Sequence, residues 1–432
     1  MKKKKGHLRR CTARAPTAVE QSTVEDGVTM ASSAIAIAEN DDILAEILVR
    51  TPFKSQVRFK SVSKSWLSLI SSSRFSLLRN SYSRLSGLLL RKKWPYLVHP
   101  APAGGPYFEF VSPKSSFSRD PPVKSLSFIP SNENFSGVDI LQSCNGLLLC
   151  TSRLLKCGTD PSYFVVNPTT KQYIQFYPPG DVSGLDIAFD PLRSHHYKLV
   201  CVRRSITPSF GHYHIEIYSS ENRCWRVSGK SFTGRECNTF TNGVFWNGSI
   251  HWIGAWSRFN IDLECIEEMP AFPRIQRNFR IGKPMLLRES NGHLHLIEEL
   301  STTKFQVFEM ESDYSGWFVK YHVDLDCVVA AFPAIVHSYP EPFTTYFREY
   351  YAFSILSIIR EEKEDESVLL LNVSDKVVSY SFKGGTLTDL LDVVPEKIDE
   401  RYMLRLPGRS NVCRPQFTKD DAFHYIESLA LV

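Results

Sequence analysis

A chain of 432 residues has room for one small module and one large domain, and its 43% hydrophobic and 12% aromatic content excludes a chain disordered throughout. Ten cysteines without a Cys-x-x-Cys pair fit reduced thiols, the N-terminus has no apolar signal core, and the longest apolar run, residues 327–336, is ten residues long and contains Pro333. These features argue against a secreted or membrane-spanning protein and for the cytoplasm and/or nucleus. The net charge of +5 is uneven: residues 47–108 hold eleven basic residues and no acid, which leaves residues 109–432 at about −6.

Residues 1–38 are polar, rich in Ser, Thr and Ala, and lack a periodic apolar pattern, so the expectation is a disordered basic extension. Lys2, Lys3, Lys4 and Lys5 form a weak nuclear-import pattern, and Met30 offers a shorter start.

Residues 39–80 read as three short helices. Asn40 or Asp41 can cap the first, with Asp41 and Asp42 at the positive end of its dipole. Ile43, Leu44, Ile47 and Leu48 form its apolar stripe. Pro52 closes it and opens the second helix, with Thr51 as cap, and Val57 and Phe59 supply apolar positions there. Ser63 caps the third, on which Trp66, Leu69 and Ile70 fall at i, i+3 and i+4. About 40 residues cannot bury so much apolar surface unaided, so the segment is expected to be completed by another protein.

Two stretches, Asp42-Ile43-Leu44-Ala45-Glu46-Ile47-Leu48 and Val62-Ser63-Lys64-Ser65-Trp66, resemble the F-box, the module that docks a substrate receptor onto the adaptor of an SCF ubiquitin ligase. The chain departs from the family pattern at Glu39-Asn40, where Leu-Pro is usual, and at Thr51, where Leu is usual. The resemblance implies an adaptor-binding set drawn from Ile43, Leu44, Ile47, Leu48, Pro52, Val57, Val62 and Trp66, some of which must instead support the surface from the module's own core.

Beyond residue 85 the pattern changes to short apolar runs between turn residues, among them Leu147-Leu148-Leu149-Cys150 and Phe305-Gln306-Val307-Phe308. Asn-Gly pairs at 145–146, 242–243, 247–248 and 291–292 predict tight hairpins, and the third places Phe245, Ile250 and Trp252 on one face. A strand, polar turn and strand recur from 164, 215, 305 and 369, which suggests a repeat of about 45–64 residues with one degenerate copy. The expected architecture is a multidomain α+β chain: the helical module, then an all-β, kelch-like propeller of about six blades over residues 81–432. Its last strand, within residues 423–432, would close the ring on the first blade. Ser143-Cys144-Asn145-Gly146-Leu147-Leu148-Leu149, Val166-Asn167-Pro168-Thr169-Thr170-Lys171, and Gly243-Val244-Phe245-Trp246-Asn247-Gly248 resemble the F-box-associated propeller of plant F-box proteins.

No catalytic, cofactor or metal motif stands out. His212 with His214 and His293 with His295 could bind zinc only if the pairs met, and a glycosidase-like carboxylate pair cannot be assigned from sequence. Trp246, Trp252 and Trp256 read as packing between sheets more than as a binding surface. The resemblance implies a non-enzymatic receptor: the adaptor and, through it, a cullin scaffold on the helical module, and an unidentified protein target on the propeller. No membrane partner is expected. The rival is a stand-alone propeller interaction protein, associated with nucleic acid through Arg50, Lys54 and Arg58, spaced four apart.

Overall fold

The computed structural model describes residues 37, 40–81, 85–92, 107–113, 121–131, 134–154, 160–205, 211–234, 240–271, 283–340, 347–393 and 416–432. The basic extension with its lysine cluster lies outside these residues. The chain divides into two compact units, with the division between Phe75 and Ser76.

The first unit is built from helices α1 (Asp41–Val49), α2 (Phe53–Phe59), α3 (Lys64–Ile70) and the start of α4 (Ser73–Ser81). Asn40 caps α1, its side chain accepting from the N–H groups of Asp42 and Ile43 at 3.1 Å each. Ser63 caps α3 by accepting the Trp66 N–H at 3.1 Å. The expected Thr51 cap of α2 does not form. Pro52 holds the N-cap position without a side-chain bond, and the Thr51 hydroxyl donates back to the Leu48 carbonyl at 2.6 Å. The same Leu48 carbonyl, in the last turn of α1 where Pro52 offers no N–H, also accepts the Thr51 N–H at 3.0 Å. The fourth helix was not anticipated; Ser72 accepts the Phe75 N–H at its start, and Phe75 is fully buried.

The second unit is a six-bladed β-propeller. Five blades are four-stranded antiparallel sheets wound in sequence order. The closing blade comes from both ends of the propeller: β1 (Gly87–Arg91) and β2 (Phe108–Val111), joined by the final strand of the chain. The first complete blade is β3 (Phe135–Cys144), β4 (Leu147–Leu154), β5 (Tyr163–Asn167) and β6 (Gln172–Phe176). The next is β7 (Gly184–Ala188), β8 (Lys198–Arg204), β9 (His212–Ser219) and β10 (Cys224–Thr233). Then come β11 (Val244–Trp246), β12 (Ser249–Trp252), β13 (Ser257–Asn260) and β14 (Cys265–Glu268), followed by β15 (Lys283–Ser290), β16 (His293–Glu299), β17 (Lys304–Met310) and β18 (Trp317–Asp324). A short helix α5 (Asp326–Ala331) and a hairpin of β19 (Val336–Pro340) and β20 (Phe347–Tyr351) precede the fifth blade. That blade is β21 (Phe353–Ile359), β22 (Val368–Val373), β23 (Lys376–Ser381) and β24 (Leu387–Asp392). β25 (Ala422–Tyr425) then pairs antiparallel with β1, Gly87 opposite Tyr425 and Leu90 opposite Ala422. This realises the expected closure.

The first strands of the blades ring the axis: β3 packs against β7 and β25, β7 against β11, β11 against β15, and β15 against β21. Among the described residues, six apolar clusters fill the spaces between neighbouring blades. Leu147, Leu149 and Val165 meet Ile187 and Leu199 in one; Val200 and Ile215 meet Ile250, Trp252 and Phe245 in another. Such interdigitated faces supply the main stabilising term of the ring. Past β25 the chain stays attached because the buried Asn167 amide donates to the carbonyls of Ser428 and Ala430 at 3.1 and 2.8 Å.

Three of the four Asn-Gly pairs form the predicted two-residue hairpins, with positive φ at Asn145, Gly146, Asn247, Gly248, Asn291 and Gly292. The pair at 242–243 does not turn a hairpin; it leads into β11. A Cβ on Gly243 would lie 2.6 Å from the Asp186 carboxylate, so close approach explains this glycine. The repeat starting at 369 is also one strand out of phase. The hairpins starting at 164, 215 and 305 join third and fourth strands, whereas β22 and β23 are second and third. The missing copy is β13–β14, and the inserted β19–β20 hairpin explains the wide last spacing.

Candidate interaction surfaces

The helical unit separates the eight sequence-predicted residues into two groups. Leu44 and Leu48 are buried, at 4% and 2% exposure, with Ala45, Val49, Phe53 and Ile70. Their side chains face the unit's own core, the supporting position of the two the sequence left open. Ile43 and Ile47, by contrast, are 46% and 47% exposed and lie one turn apart on the outer side of the same helix. Val57 and Val62 are exposed, Pro52 is exposed, and Trp66 is half-buried with its ring edge-on to Phe59 at 5.5 Å. Leu67, which sequence reading did not single out, is exposed as well. α1 and α2 both pack against α3. Exposed apolar side chains at this density make this face a candidate interaction surface.

A buried amide fixes the angle between the first two helices. Gln56 is fully buried and its Nε2 donates to the carbonyls of Leu48, Val49 and Thr51 at 3.0, 3.2 and 2.9 Å, satisfying the open end of α1. Sequence gives no signal for this, because Gln56 reads as an ordinary polar position of α2. The basic spacing behind the rival reading does not make one helix face. Arg50 ends α1, where it pairs with Glu46 at 3.5 Å, Arg58 rides α2 beyond the Pro52 break, and the Lys54 side chain lies outside the description.

On the propeller, the turns that follow the six innermost strands surround a cavity of about 460 Å³ at one mouth of the central channel. Asn145, Asp190, Trp246, Glu289, Arg360 and Ile426 each bring a different blade to its wall. Deeper in, a narrower space of about 80 Å³ is lined by Gln142, Val244, Arg288 and His424. Hydrogen bonds between blades hold the rim. Asn145 donates to the Phe189 carbonyl at 2.7 Å, Trp246 to the Gly292 carbonyl at 2.7 Å, and Asn247 to the Ser312 carbonyl at 2.9 Å.

Below the rim, Asp186 accepts the Gly243 N–H at 2.8 Å and the Trp252 indole N–H at 2.7 Å, while Gln142 donates to the Gly243 carbonyl and accepts from Ile187. Burial pushes Asp186 up to about 7, against the pull of its two donors. Burial also holds the His424 imidazole down near 3, with Arg288 adding to the effect, so it is neutral in ordinary buffers.

The other sequence candidates resolve as structure. Trp252 is fully buried, Trp246 nearly so, and both belong to the packing between blades. The two histidine pairs sit in different blades, His212 with His214 on β9 and His293 with His295 on β16, where both of the latter face Glu309. Among the described residues no group of three or more His, Cys, Asp or Glu side chains is placed to hold a metal ion, and no helix is long and apolar enough to cross a membrane.

Comparison with known proteins agrees with both units. Residues 40–78 match the F-box domain and residues 109–267 the F-box associated beta propeller domain. One F-box protein of Arabidopsis thaliana is 35% identical over 397 residues, covering 85% of this chain and 89% of its own. A second from the same plant is 28% identical over 321 residues, covering 68% of this chain and 81% of its own.

Proposed function

This chain belongs to the F-box proteins that carry an F-box-associated propeller, a family whose general role is that of a non-catalytic SCF substrate receptor, and on that premise we propose that Ile43, Ile47, Pro52, Val57, Val62 and Trp66 form its adaptor-docking surface. Leu44, Leu48 and Gln56 support that surface from beneath. The propeller recruits a protein target, and the adaptor links the chain to a cullin scaffold. Such a receptor speeds ubiquitin transfer by raising local concentration and fixing orientation, with no chemistry of its own. A cytoplasmic and/or nuclear location suits the reduced cysteines the chain is expected to keep.

The observation that carries this reading is the pairing of Ile43 and Ile47, half-exposed on the outside of α1 while Leu44 and Leu48 fill its inside. A helix serving only its own core would not turn two of its four large aliphatic side chains to water. The departures at Glu39-Asn40 and Thr51 do not remove the support: Asn40 caps α1, and Thr51 bonds back to Leu48. Reconstitution tests the reading. The full chain should co-elute with purified adaptor and cullin as one complex, and an Ile43→Ser/Ile47→Ser variant of equal melting temperature should not. Co-elution of that folded variant would remove α1 from the interface.

A further inference from the structure

The cavity at the channel mouth has a chemical character of its own. Its described carboxylates are Asp190, Glu289, Glu361 and Glu362, against the single guanidinium of Arg360 and the neutral His424. Phe245, Leu192, Pro191, Ile359 and Ile426 give it apolar wall, with Leu192 63% exposed at the rim. A volume of about 460 Å³ falls in the range of pockets that enclose a small ligand.

Glu289 decides what the cavity suits. Its Oε1 accepts the Gly292 N–H at 2.8 Å, which fixes the side chain to the β15–β16 turn. Among the described residues it forms no ion pair, although it lines both the mouth and the deeper channel. Burial raises its carboxyl above the ordinary range, the sign of a negative charge poorly compensated by its surroundings. Asp190 and Arg360 are already turned elsewhere. Asp190 receives the Leu192 N–H at 3.0 Å and lies 3.5 Å from the Arg193 guanidinium. Arg360 donates to the Glu361 carbonyl and the Ser367 hydroxyl, and its Nε faces Glu309 at 3.8 Å.

We propose that this mouth is a subsite for a basic side chain, a lysine or arginine of a bound target segment, with Glu289 as its counter-charge and Phe245, Leu192 and Ile426 as the wall for its aliphatic stem. The proposal rests on the reading that the propeller holds a protein target, and it names the chemistry recognised there. Lysine and arginine carry a long apolar stem and a charged head, and so match a cavity with apolar sides and a half-buried carboxylate. An acidic side chain would instead meet Glu289 and be repelled. The rim needs little rearrangement to receive a ligand, because the bonds from Asn145, Trp246 and Asn247 already fix it across blades.

The test uses the full chain and fluorescein-labelled short peptides that differ only in a central lysine, arginine, norleucine or glutamate, read by fluorescence anisotropy. The lysine or arginine peptide should bind about tenfold or more tightly than the norleucine peptide, and the glutamate peptide most weakly. Glu289→Gln keeps the oxygen that accepts the Gly292 N–H, so its melting temperature should hold while the preference for the basic peptides disappears. Leu192→Ser, at an exposed position, should weaken the basic and norleucine peptides alike. Equal binding of all four peptides, no binding of any, a preference for glutamate, or a basic preference that survives Glu289→Gln would each overturn the proposal. Adaptor binding measured on the same preparations keeps the two readings apart. Its loss with the peptide preference intact counts against the docking surface alone, and the converse against this subsite alone.

Discussion

The two units of this molecule treat the same kind of side chain in opposite ways. In the propeller, consecutive apolar residues such as Leu147, Leu148 and Leu149 are all buried, because each face of a blade meets a neighbouring blade. In the helical unit, Ile43, Ile47, Val57, Val62 and Leu67 stand about half in water although helices lie beside them. A closed ring has no apolar face left over, whereas a bundle of short helices has more apolar surface than it can cover. The propeller exposes scattered apolar side chains such as Leu192, Val227 and Leu263, whereas the helical unit gathers its exposed aliphatics on a few short helices, the surface proposed here for the adaptor.

The contrast breaks most visibly if the exposed aliphatics are removed. Ile43→Ser/Ile47→Ser should cost about 3 kcal/mol of adaptor affinity, a hundredfold or more, with the melting temperature unchanged. Isothermal titration with purified adaptor and a thermal melt measure both. A buried neighbour should do the reverse: Leu48→Ala leaves a cavity beneath α1 and should cost about 3 kcal/mol of stability in the helical unit. Urea unfolding followed by helical circular dichroism would detect it, and an unchanged midpoint would place Leu48 outside the core.

On the propeller side, Asn167→Ala orphans the buried carbonyls of Ser428 and Ala430 and should lower ring stability by about 2 kcal/mol. Faster hydrogen exchange in residues 426–432 would report it, and adaptor affinity should not move. A pH-dependent effect concerns Asp186. Its carboxyl titrates at 3.8 when unfolded and about 7 when folded, so the folded state holds its proton more tightly. The contribution is therefore full below about pH 4 and is lost as pH rises toward 7. The stability difference between wild type and Asp186→Asn should shrink over that interval. Any loss in the variant, about 1 kcal/mol because its amide has one acceptor oxygen for two N–H donors, should show below pH 4 and be gone or reversed by pH 7. A difference that stays flat from pH 4 to 7 would mean that Asp186 is not perturbed.

These outcomes also mark where the sequence was readable. Turn chemistry located the hairpins at 145, 247 and 291, and alternation placed Phe245, Ile250 and Trp252 together, because both are local properties of the chain. The same Asn-Gly signal misled at 242, where the glycine answers to Asp186, a residue far away in sequence. Ile43, Leu44, Ile47 and Leu48 could not be divided from periodicity, since positions i and i+1 both border a broad apolar stripe. Which pair faces inward is set by packing against the rest of the unit, α3 included, and that is not a local property of α1. Gln142, Asp186 and Glu289 left no trace in the pattern, because a buried polar group is defined by partners that folding brings to it.

The central claim is that α1 turns one aliphatic pair outward for a partner and one inward for itself. Its most direct test is a titration of purified SCF adaptor into the full chain, comparing wild type with Ile43→Ser/Ile47→Ser at matched thermal stability. Saturable binding by the wild type and a hundredfold or greater loss in the folded variant is the result expected here. Equal affinity in the two proteins, or no binding by a folded wild type, would contradict it.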